Sequence, residues 1–283
     1  MIAITGATGH LGQLTIAALL ERGIPVSEIA ALVRNPAKAS ALAAKGVQVR
    51  RADYNQPDTL NAALQGVDKL LLISSNDVAD RATPQRNVVD AAQAAGVKLL
   101  AYTSILRADT ASMKMAADHK ATEQAIRESG IPFVFLRNSW YMENYNVAQA
   151  AQYGTMPGSA GDAQISAASR ADYAAAAAAV LTLPDQANTT YELGGDDAFT
   201  LDELTAEIAA QSGRPVTYQN LPEGGYAEML VGFGVPAPLA LKLADADTNA
   251  QQGELYTDTG DLSRLIGRPT TTLKEAVTAG LAG

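Results

Sequence analysis

The sequence predicts an α/β protein, in which a doubly wound parallel sheet is followed by a smaller C-terminal α/β lobe. Three observations lead to this fold class. Short apolar runs alternate with helical patterns through the first half, glycines follow the helical segments, and a glycine-rich turn joins the first strand to the first helix. The chain has 283 residues, which is enough for one large α/β domain and a smaller lobe.

Six apolar, β-rich runs in the first half have the length of buried strands. They are Met1–Thr5, Glu28–Val33, Val47–Arg50, Lys69–Ser74, Lys98–Thr103 and Phe133–Arg137. Helical patterns lie between them at Leu11–Arg22, Ala37–Lys45, Pro57–Gln65, Pro84–Ala95 and Met115–Ser129. Strands that alternate with helices of this length form right-handed βαβ units, which give a parallel sheet covered by helices on both faces.

A glycine follows each of the five helical segments, where a left-handed C-terminal cap is commonly needed. These glycines are Gly23, Gly46, Gly66, Gly96 and Gly130. Their agreement with the strand–helix period supports the doubly wound prediction.

The first predicted strand runs directly into a glycine-rich turn. It reads Gly6-Ala7-Thr8-Gly9-His10-Leu11-Gly12. Gly6 permits a sharp exit from the strand, Gly9 lets a phosphate approach the backbone, and Gly12 lets the helix pack close to the sheet. The unpaired N–H groups and the positive dipole end of the helix then face the anion. This order predicts a pyrophosphate site of the Rossmann type, the alternative being an ordinary βα turn.

The strand–helix alternation stops after Arg137. We expect a dinucleotide-binding domain over residues 1–137 and a smaller substrate lobe over residues 138–283, and segments of that lobe are allowed to return to the main sheet. The lobe has strand patterns at Gln164–Ala168, Thr190–Leu193 and Val216–Asn220, and helical patterns at Asp172–Leu183, Leu201–Ser212, Tyr226–Gly232 and from Pro236 onward. It would cover the carboxyl edge of the sheet, where open α/β sheets bind ligands.

Composition excludes several kinds of partner. The chain has no cysteine and only two histidines, so we expect no metal site. The formal net charge of −9 argues against nucleic-acid binding by bulk electrostatics. The N-terminus lacks a signal-peptide pattern, and no apolar run has the length of a bilayer span. We therefore expect a cytoplasmic protein without a membrane or nucleic-acid partner. The sequence does not fix the oligomeric state, and a monomer and a homodimer are the two alternatives.

The end of the second strand favours NADPH over NADH. An acid at this point binds the ribose hydroxyls of NAD, whereas a cation suits the 2′-phosphate of NADP. Arg34 stands there, Lys38 follows one helical turn later, and a planar guanidinium binds phosphate bidentately. Because no aspartate competes, NADH is expected to bind more weakly rather than not at all. The alternative is a solvated charge at a strand end.

The GxxGxxG spacing is typical of short-chain dehydrogenases/reductases, most of which use a Tyr with a Lys four residues on. None of the ten tyrosines has this partner; Tyr102, at the end of the fifth strand, is followed four positions on by Leu106. A simple ketone needs an acid because its alkoxide is very basic, whereas a quinone or conjugated dye gives a delocalised, weakly basic anion. The sequence therefore favours an enzyme with an easily reduced acceptor, or a sensor protein that catalyses no reaction.

Seven segments together resemble the NmrA-like branch of atypical short-chain dehydrogenases/reductases. They are Gly6–Gly12, Val33–Lys38, Leu72–Ser75, Ala101–Ser104, Leu136–Asn144, Ser169–Tyr173 and Val216–Asn220. Within that branch the chain is similar to the bacterial NAD(P)H:quinone oxidoreductases and, to a lesser degree, to triphenylmethane and azo dye reductases. The resemblance implies NADPH-dependent hydride transfer, without flavin, to a small planar acceptor such as a quinone. The alternatives are reduction of dyes and an NADP-binding redox sensor without catalysis.

The resemblance also implies roles for single residues. The turn Gly6–Gly12 would hold the pyrophosphate, Arg34 the 2′-phosphate with Lys38 beside it, and Ser74 and Ser75 would lie along the nicotinamide ribose. The wall of the nicotinamide pocket would be formed by Asn138, Ser139, Trp140, Tyr141, Met142 and Glu143. Arg170 would approach the cofactor from the C-terminal lobe.

Two residues are the candidate catalytic groups, His119 and Tyr141. The resemblance to plant isoflavone reductase-like enzymes places His119 near their catalytic lysine, and a histidine can donate a proton near neutral pH. The alternative for His119 is a structural role inside its helix. Trp140 and Tyr141 offer flat surfaces to a flat acceptor, and the alternative for them is packing within the lobe.

Overall fold

The computed structural model describes residues 1–75 and 81–282 of the chain. These residues divide into two compact units. Unit 1 consists of Met1–Ile105, Asp118–Arg137 and Arg170–Tyr191, and unit 2 of Leu106–Ala117, Asn138–Ser169 and Glu192–Gly283. Every helix within the described ranges is too short or too polar to cross a lipid bilayer.

The described strands and helices follow the chain in this order. The strands are β1 (Ile2–Ile4), β2 (Ile29–Val33), β3 (Gln48–Arg51), β4 (Lys69–Leu72), β5 (Leu99–Ile105), β6 (Phe133–Asn138), β7 (Thr155–Gly158), β8 (Thr189–Leu193) and β9 (Thr217–Asn220). The helices are α1 (His10–Glu21), α2 (Ser40–Ala44), α3 (Pro57–Ala63), α4 (Ala82–Ala94), α5 (Lys114–Ser129), α6 (Val147–Tyr153), α7 (Arg170–Thr182), α8 (Leu201–Ser212), α9 (Glu223–Gly232), α10 (Ala237–Ala250), α11 (Asp261–Ile266) and α12 (Leu273–Ala282). Short 3₁₀ helices lie at Val26–Glu28, Pro36–Ala39 and Met142–Tyr145.

Seven of the described strands form the main sheet, in the order β3-β2-β1-β4-β5-β6-β8. Ile4 pairs in parallel with Ala31 on one side and with Leu71 on the other, and Leu72 pairs in parallel with Tyr102. The strand order reverses between β1 and β4, which makes their carboxyl ends the topological switch point of the sheet. The doubly wound α/β prediction is confirmed.

The central strands are buried on both faces, which explains why they read as continuous apolar runs. All residues of β1, β2 and β5 are buried. The five glycines predicted to end helical segments have φ angles between +71° and +90°, as left-handed C-terminal caps require.

The prediction of a strand over Gln164–Ala168 was wrong. Residues 164–168 form only isolated bridges, because successive residues bond to different segments: Ile165 pairs with Phe199, the Ser166 amide donates to Leu255, and Ala168 pairs with Tyr141. The second sheet instead joins β7 to β9 in parallel. Its strand β7 lies in the stretch rich in glycine and proline, where a two-stranded edge tolerates Pro157.

A buried ion pair ties the end of β6 to α5. The Glu123 carboxylate accepts two hydrogen bonds from the Arg137 guanidinium, at 2.9 Å and 2.7 Å, and a third at 2.7 Å from the Ser104 hydroxyl of β5. The side chains of Glu123 and Arg137 are 1% and 5% exposed. Arg127 also pairs with Glu123 and lies over the Phe135 ring. Removing one partner of such a pair leaves a buried, uncompensated charge.

We predict that Glu123→Gln lowers the free energy of unfolding by about 3–5 kcal/mol, because the Arg137 charge stays buried without its counter-charge. Urea unfolding followed by circular dichroism measures this. The matched control is Glu128→Gln on the same helix, where the carboxylate pairs with Arg86 at the surface and its loss is expected to change little. Equal effects of the two substitutions would contradict the prediction.

A second buried carboxylate lies in unit 2. Asp247 of α10 is buried, and its Oδ2 accepts a hydrogen bond from the Ser159 amide at 3.1 Å. Burial raises the pKa of Asp247 from 3.8 to about 6, and the Ser159 amide opposes this only in part. The half-buried Tyr226 is close enough to this carboxylate to be affected by its charge. Desolvation raises the pKa of Tyr226 most, and the negative charge of Asp247 raises it further. Ionised Asp247 therefore destabilises the fold.

We predict that the contribution of Asp247 to the free energy of unfolding falls as the pH rises from about 4 to about 6, because the unfolded chain releases the Asp247 proton at lower pH than the folded chain does. Asp247→Asn removes this term, so above pH 6 it is expected to stabilise the protein by an amount of order 2–3 kcal/mol, with little effect at pH 4. Unfolding curves at several pH values test this against the exposed control Asp258→Asn. A pH-independent difference between the Asp247→Asn variant and the unmodified protein would refute it.

Candidate functional site

The turn between β1 and α1 is so tight at Gly12 that a side chain there would collide with the backbone. Gly6 adopts a φ of +58°, which carries the chain sharply out of the strand. A Cβ atom at Gly12 would lie 2.5 Å from the Gly6 carbonyl oxygen and 2.7 Å from the Ala7 Cα, both of them backbone atoms that cannot yield. The helix therefore starts directly against the turn, as the glycine spacing predicts.

The first turn of α1 leaves its N–H groups for a ligand. Gly9 is the N-cap residue and offers no side chain to bond them, and the first turn contains no acidic residue. The Gly9 amide bonds to the Gly6 carbonyl, and the Gln13 amide to the Gly9 carbonyl. Helix geometry leaves the amides of His10, Leu11 and Gly12 without intrahelical partners. Three N–H groups at a positive dipole end form an anion site.

Thr5 fastens β1 to β4 at the switch point. Its hydroxyl donates to the Leu71 carbonyl and accepts from the Ile73 amide at 2.9 Å and from the Tyr54 hydroxyl at 2.6 Å. The Ile73 carbonyl oxygen lies 2.9 Å from the same phenol oxygen, so the single Tyr54 hydroxyl hydrogen is shared between the Thr5 hydroxyl and this carbonyl. Burial raises the pKa of Tyr54, so its phenol stays protonated as a donor. These bonds hold the end of β4, which carries Ser74 and Ser75, beside the glycine turn.

Ser74 and Ser75 follow β4 after one residue, Ile73. Among the residues that the structure describes, neither buried Oγ atom forms a hydrogen bond of good geometry, and the Ser74 side chain has only a polar contact with Tyr102. The Ser74 amide is bonded to the Thr103 hydroxyl at 2.9 Å, so its backbone position is held while its side chain remains available. Buried hydroxyls without partners are uncommon and point to a ligand that completes them. The hydroxyls of a ribose would do so.

Arg34 and Lys38 lie at the carboxyl end of β2. Arg34 follows Val33, the last residue of the strand, and the Asn35 side chain caps the 3₁₀ helix that carries Lys38 by accepting from the Ala37 amide. Both cations are exposed, and neither forms an ion pair with a described residue. The edge expected to hold a 2′-phosphate thus presents unneutralised positive charge.

Arg170 is the first residue of α7, which packs along α1 within unit 1. The Arg22 side chain, just after α1, donates to the Thr182 hydroxyl at the end of α7 at 2.8 Å. The two helices therefore end together and run in the same direction. Arg170 lies at the same end of this pair as the glycine turn, and its contact with a cofactor stays a prediction.

His119 is buried in α5 beside Tyr102 and Arg81. Its Nδ1 lies 2.9 Å from the Tyr102 hydroxyl and its Nε2 lies 3.1 Å from an Arg81 guanidinium nitrogen. A guanidinium only donates, so Nε2 accepts and Nδ1 carries the proton that Tyr102 receives. The ring is therefore neutral in this arrangement, and Arg81 determines its tautomer.

Tyr102 keeps its own proton. Burial raises its pKa to about 12, although polar contacts with Thr122 and Ser74 and the charge of Arg81 oppose the shift. Thr122 accepts from the Gln85 side chain at 3.0 Å in the same cluster. Tyr102 is thus a hydrogen-bonding phenol rather than a base, in keeping with the absence of a lysine four residues on.

The predicted nicotinamide wall lies in unit 2 and follows β6. The Asn138 side chain donates to the Tyr141 hydroxyl at 3.2 Å, and the buried Asn138 Oδ1 has no partner among the described residues. Ser139 uses its amide on the Leu193 carbonyl and its hydroxyl on the Leu255 carbonyl. Trp140 and Tyr141 are half-buried, Met142 is buried and Glu143 is exposed. Asn138 is the member of this set with an unused buried acceptor; the cofactor roles of the others, and a catalytic role for Tyr141, stay predictions.

The sequence analysis did not identify Tyr54 and Arg81, two residues that form hydrogen bonds to Thr5 and His119 in unit 1. Tyr54 lies three positions after the end of β3. Because the carboxyl ends of parallel strands lie at one edge of a sheet, this position could have placed Tyr54 near the end of β1. Arg81 lies 38 positions before His119. No pattern in the sequence connects the two, and only the fold brings them together.

The matches with known proteins agree with this geometry. A family model described as the NmrA-like family matches residues 1–278. The chain belongs to the NmrA-like family. Among its NmrA-like relatives, quinone oxidoreductase 2 of Escherichia coli (strain K12) is 53% identical over 279 residues, which cover 98% of this chain and 97% of the relative. The predicted resemblance is confirmed.

Two solved structures share this fold over nearly the whole chain. One is an NADPH-dependent quinone oxidoreductase from Escherichia coli complexed with NADPH, with a TM-score of 0.95, 53% identity and coverage of 99% of both chains. The other is the triphenylmethane reductase of Citrobacter sp. complexed with NADP(H), with a TM-score of 0.94, 40% identity and coverage of 99% of this chain and 100% of that one. Both structures were solved with the same type of coenzyme.

We predict that Gly12→Ala weakens NADPH binding by about tenfold or more, because the added methyl group pushes α1 away from the turn. Calorimetry gives the affinity and thermal unfolding reports on the fold. The control is Gly224→Ala in α9, where a Cβ meets no atom within 4 Å and alanine favours the helix. Unchanged NADPH affinity in a folded Gly12→Ala variant would show that the close packing of α1 against the glycine turn is not needed for binding.

Proposed function

We propose that this protein is an NADPH-dependent quinone oxidoreductase that acts without flavin. The observation that carries the proposal is a set of groups in unit 1 that the described residues leave available: three amides at the start of α1, two buried serine hydroxyls after β4 that form no hydrogen bond of good geometry, and the Arg34 guanidinium after β2, which has no ion pair. Identity of 53% with quinone oxidoreductase 2 of Escherichia coli supports the same assignment.

The residues fit the coenzyme part by part. The amides of His10, Leu11 and Gly12 would bind the pyrophosphate, since no side chain competes for them. Arg34 would bind the 2′-phosphate through two parallel N–H bonds. Ser74 and Ser75 would bond the nicotinamide ribose. When bound, NADPH supplies a hydride.

Positioning rather than acid–base chemistry is the task left to this chain. A quinone yields a weakly basic, delocalised anion, so a strong proton donor is not required. Tyr102 stays protonated, and His119 could act as an acid only after its Nε2 gained a proton, which requires loss of the hydrogen bond from Arg81. We propose that Tyr102 and His119 shape the site, that Tyr141 contacts the acceptor, and that orientation supplies the main rate enhancement.

The 40% identity with the triphenylmethane reductase of Citrobacter sp. makes dye reduction a second candidate activity. A conjugated dye shares with a quinone the delocalised product that needs little proton assistance. The two activities differ only in the electron acceptor, so rates measured with a series of quinones and dyes decide between them.

We expect purified protein to oxidise NADPH on addition of p-benzoquinone or a naphthoquinone, and to oxidise NADH more slowly. Absorbance at the reduced-nicotinamide band measures the rate, and a triphenylmethane and an azo dye complete the panel. Turnover of dyes alone would replace the quinone by a dye as acceptor. Coenzyme binding without turnover of any acceptor would favour a redox sensor and overturn the proposal.

We predict that Arg34→Ala weakens NADPH binding by about 10–100-fold while NADH binding changes little, because only the 2′-phosphate loses its charge-assisted bonds. Calorimetry with the two coenzymes side by side measures the ratio. Parallel losses for both coenzymes would show that Arg34 contacts a part which they share, such as adenine.

A further inference from the structure

The carboxyl end of β3 adds a second guanidinium to the edge that carries Arg34. Arg51 is the last residue of β3, and its Cα is the register partner of Val33 in β2. Neighbouring strands are about 4.8 Å apart, and Arg34 is the residue after Val33. The backbones of Arg34 and Arg51 therefore lie at one corner of the sheet.

The two consecutive arginines of β3 have different tasks. Arg50 donates to the carbonyls of Ala63 and Gln65 at 2.7 Å and 2.8 Å, which ties β3 to the end of α3. Successive side chains on a strand point to opposite faces, so Arg51 points away from that contact. Arg51 is exposed and does not share the structural role of its neighbour.

Arg51 is held without being neutralised. One of its guanidinium nitrogens donates to the Gln56 amide oxygen at 3.1 Å. A carboxamide carries no charge, so the positive charge of Arg51 is retained. Asp53, the carboxylate of the same turn, accepts from the Asn55 amide at 3.0 Å, and no ion pair joins it to Arg51 among the described residues.

Three cations thus gather at this corner in a chain whose net charge is −9. Arg34, Lys38 and Arg51 are all exposed, and within residues 1–75 and 81–282 none of them has an acidic partner. A phosphate monoester carries a charge of about −1.5 to −2 at neutral pH, which one guanidinium does not balance. A second cation on the neighbouring strand supplies the missing charge.

We propose that Arg51 is a coenzyme-specificity residue, which acts with Arg34 on the 2′-phosphate of NADPH. The proposal rests on the proposed function for the presence of a dinucleotide, but it concerns the choice between two coenzymes. Gln56 positions the guanidinium, and Arg51 raises the affinity for the phosphorylated coenzyme without contacting the part that reacts.

The test is a comparison of Arg51→Gln, Arg51→Lys and Lys45→Gln with the unmodified protein. Lys45→Gln is the matched control, because it removes one exposed charge from the loop before β3, at the opposite edge of the sheet. Calorimetry gives the affinities for NADPH and NADH, and quinone turnover gives KM and kcat with each coenzyme. The binding measurement does not depend on turnover, so it tests Arg51 even if no acceptor is reduced.

We expect Arg51→Gln to weaken NADPH binding by about 3–10-fold, to raise KM for NADPH without changing kcat, and to leave NADH unaffected. Arg51→Lys is expected to lie between, and the loss is expected to shrink at high salt because exposed charges are screened. Lys45→Gln should match the unmodified protein.

Three outcomes would overturn the inference. NADPH affinity unchanged in Arg51→Gln, with Arg34→Ala still selective, would remove Arg51 from the phosphate site and leave the proposed function standing. Equal losses for NADPH and NADH would assign Arg51 to a shared part of the coenzyme or to the fold. Absence of binding of either coenzyme to the unmodified protein would refute the proposed function together with the inference.

Discussion

The close approach of α1 to the end of β1 is the constraint on which the rest of the cofactor site depends. Gly12 sits against the Gly6 carbonyl with no space for a Cβ, so the first amides of the helix are carried up to the turn. The helix has no capping side chain and no acid in its first turn, either of which would compete with an anion. Backbone alone therefore forms the proposed phosphate site, and a side chain at Gly12 would push the helix away from the turn.

Other interactions keep the strand ends around that turn in place. The Thr5 hydroxyl joins β1 to the end of β4, and Tyr54 reinforces it from the loop after β3. On the other side of β4, the buried pair of Glu123 and Arg137 ties β6 to α5, and its third bond comes from β5. These contacts are polar and buried, so each is worth much more when complete than when one partner is lost. The carboxyl edge of the sheet is thereby rigid where a ligand would meet it.

The chemistry of the site follows from what these bonds leave unused. Polar groups that the fold satisfies internally, such as the Ser139 hydroxyl, serve the scaffold. Groups that form no hydrogen bond of good geometry or no ion pair among the described residues are the ones available to a coenzyme, such as the Ser74 and Ser75 hydroxyls and the exposed Arg34 guanidinium. Tyr102 and His119 are bonded to each other and are not a free acid–base pair, which agrees with an acceptor whose reduction needs little help from a proton donor.

The sequence by itself determined the fold class, the glycine turn and the cation after β2, because each of these depends on local rules: apolar period, conformational freedom and the shared edge of parallel strands. The strand predicted for residues 164–168 was wrong, because these residues form hydrogen bonds to three different segments of the chain instead of pairing with one strand. Only the tertiary structure decided that Arg81 holds His119, that Arg50 serves α3 while Arg51 does not, and which hydroxyls are left without partners. The physical reason is that a hydrogen bond between residues far apart in the chain depends on where the whole fold places them, and no spacing in the sequence encodes that position.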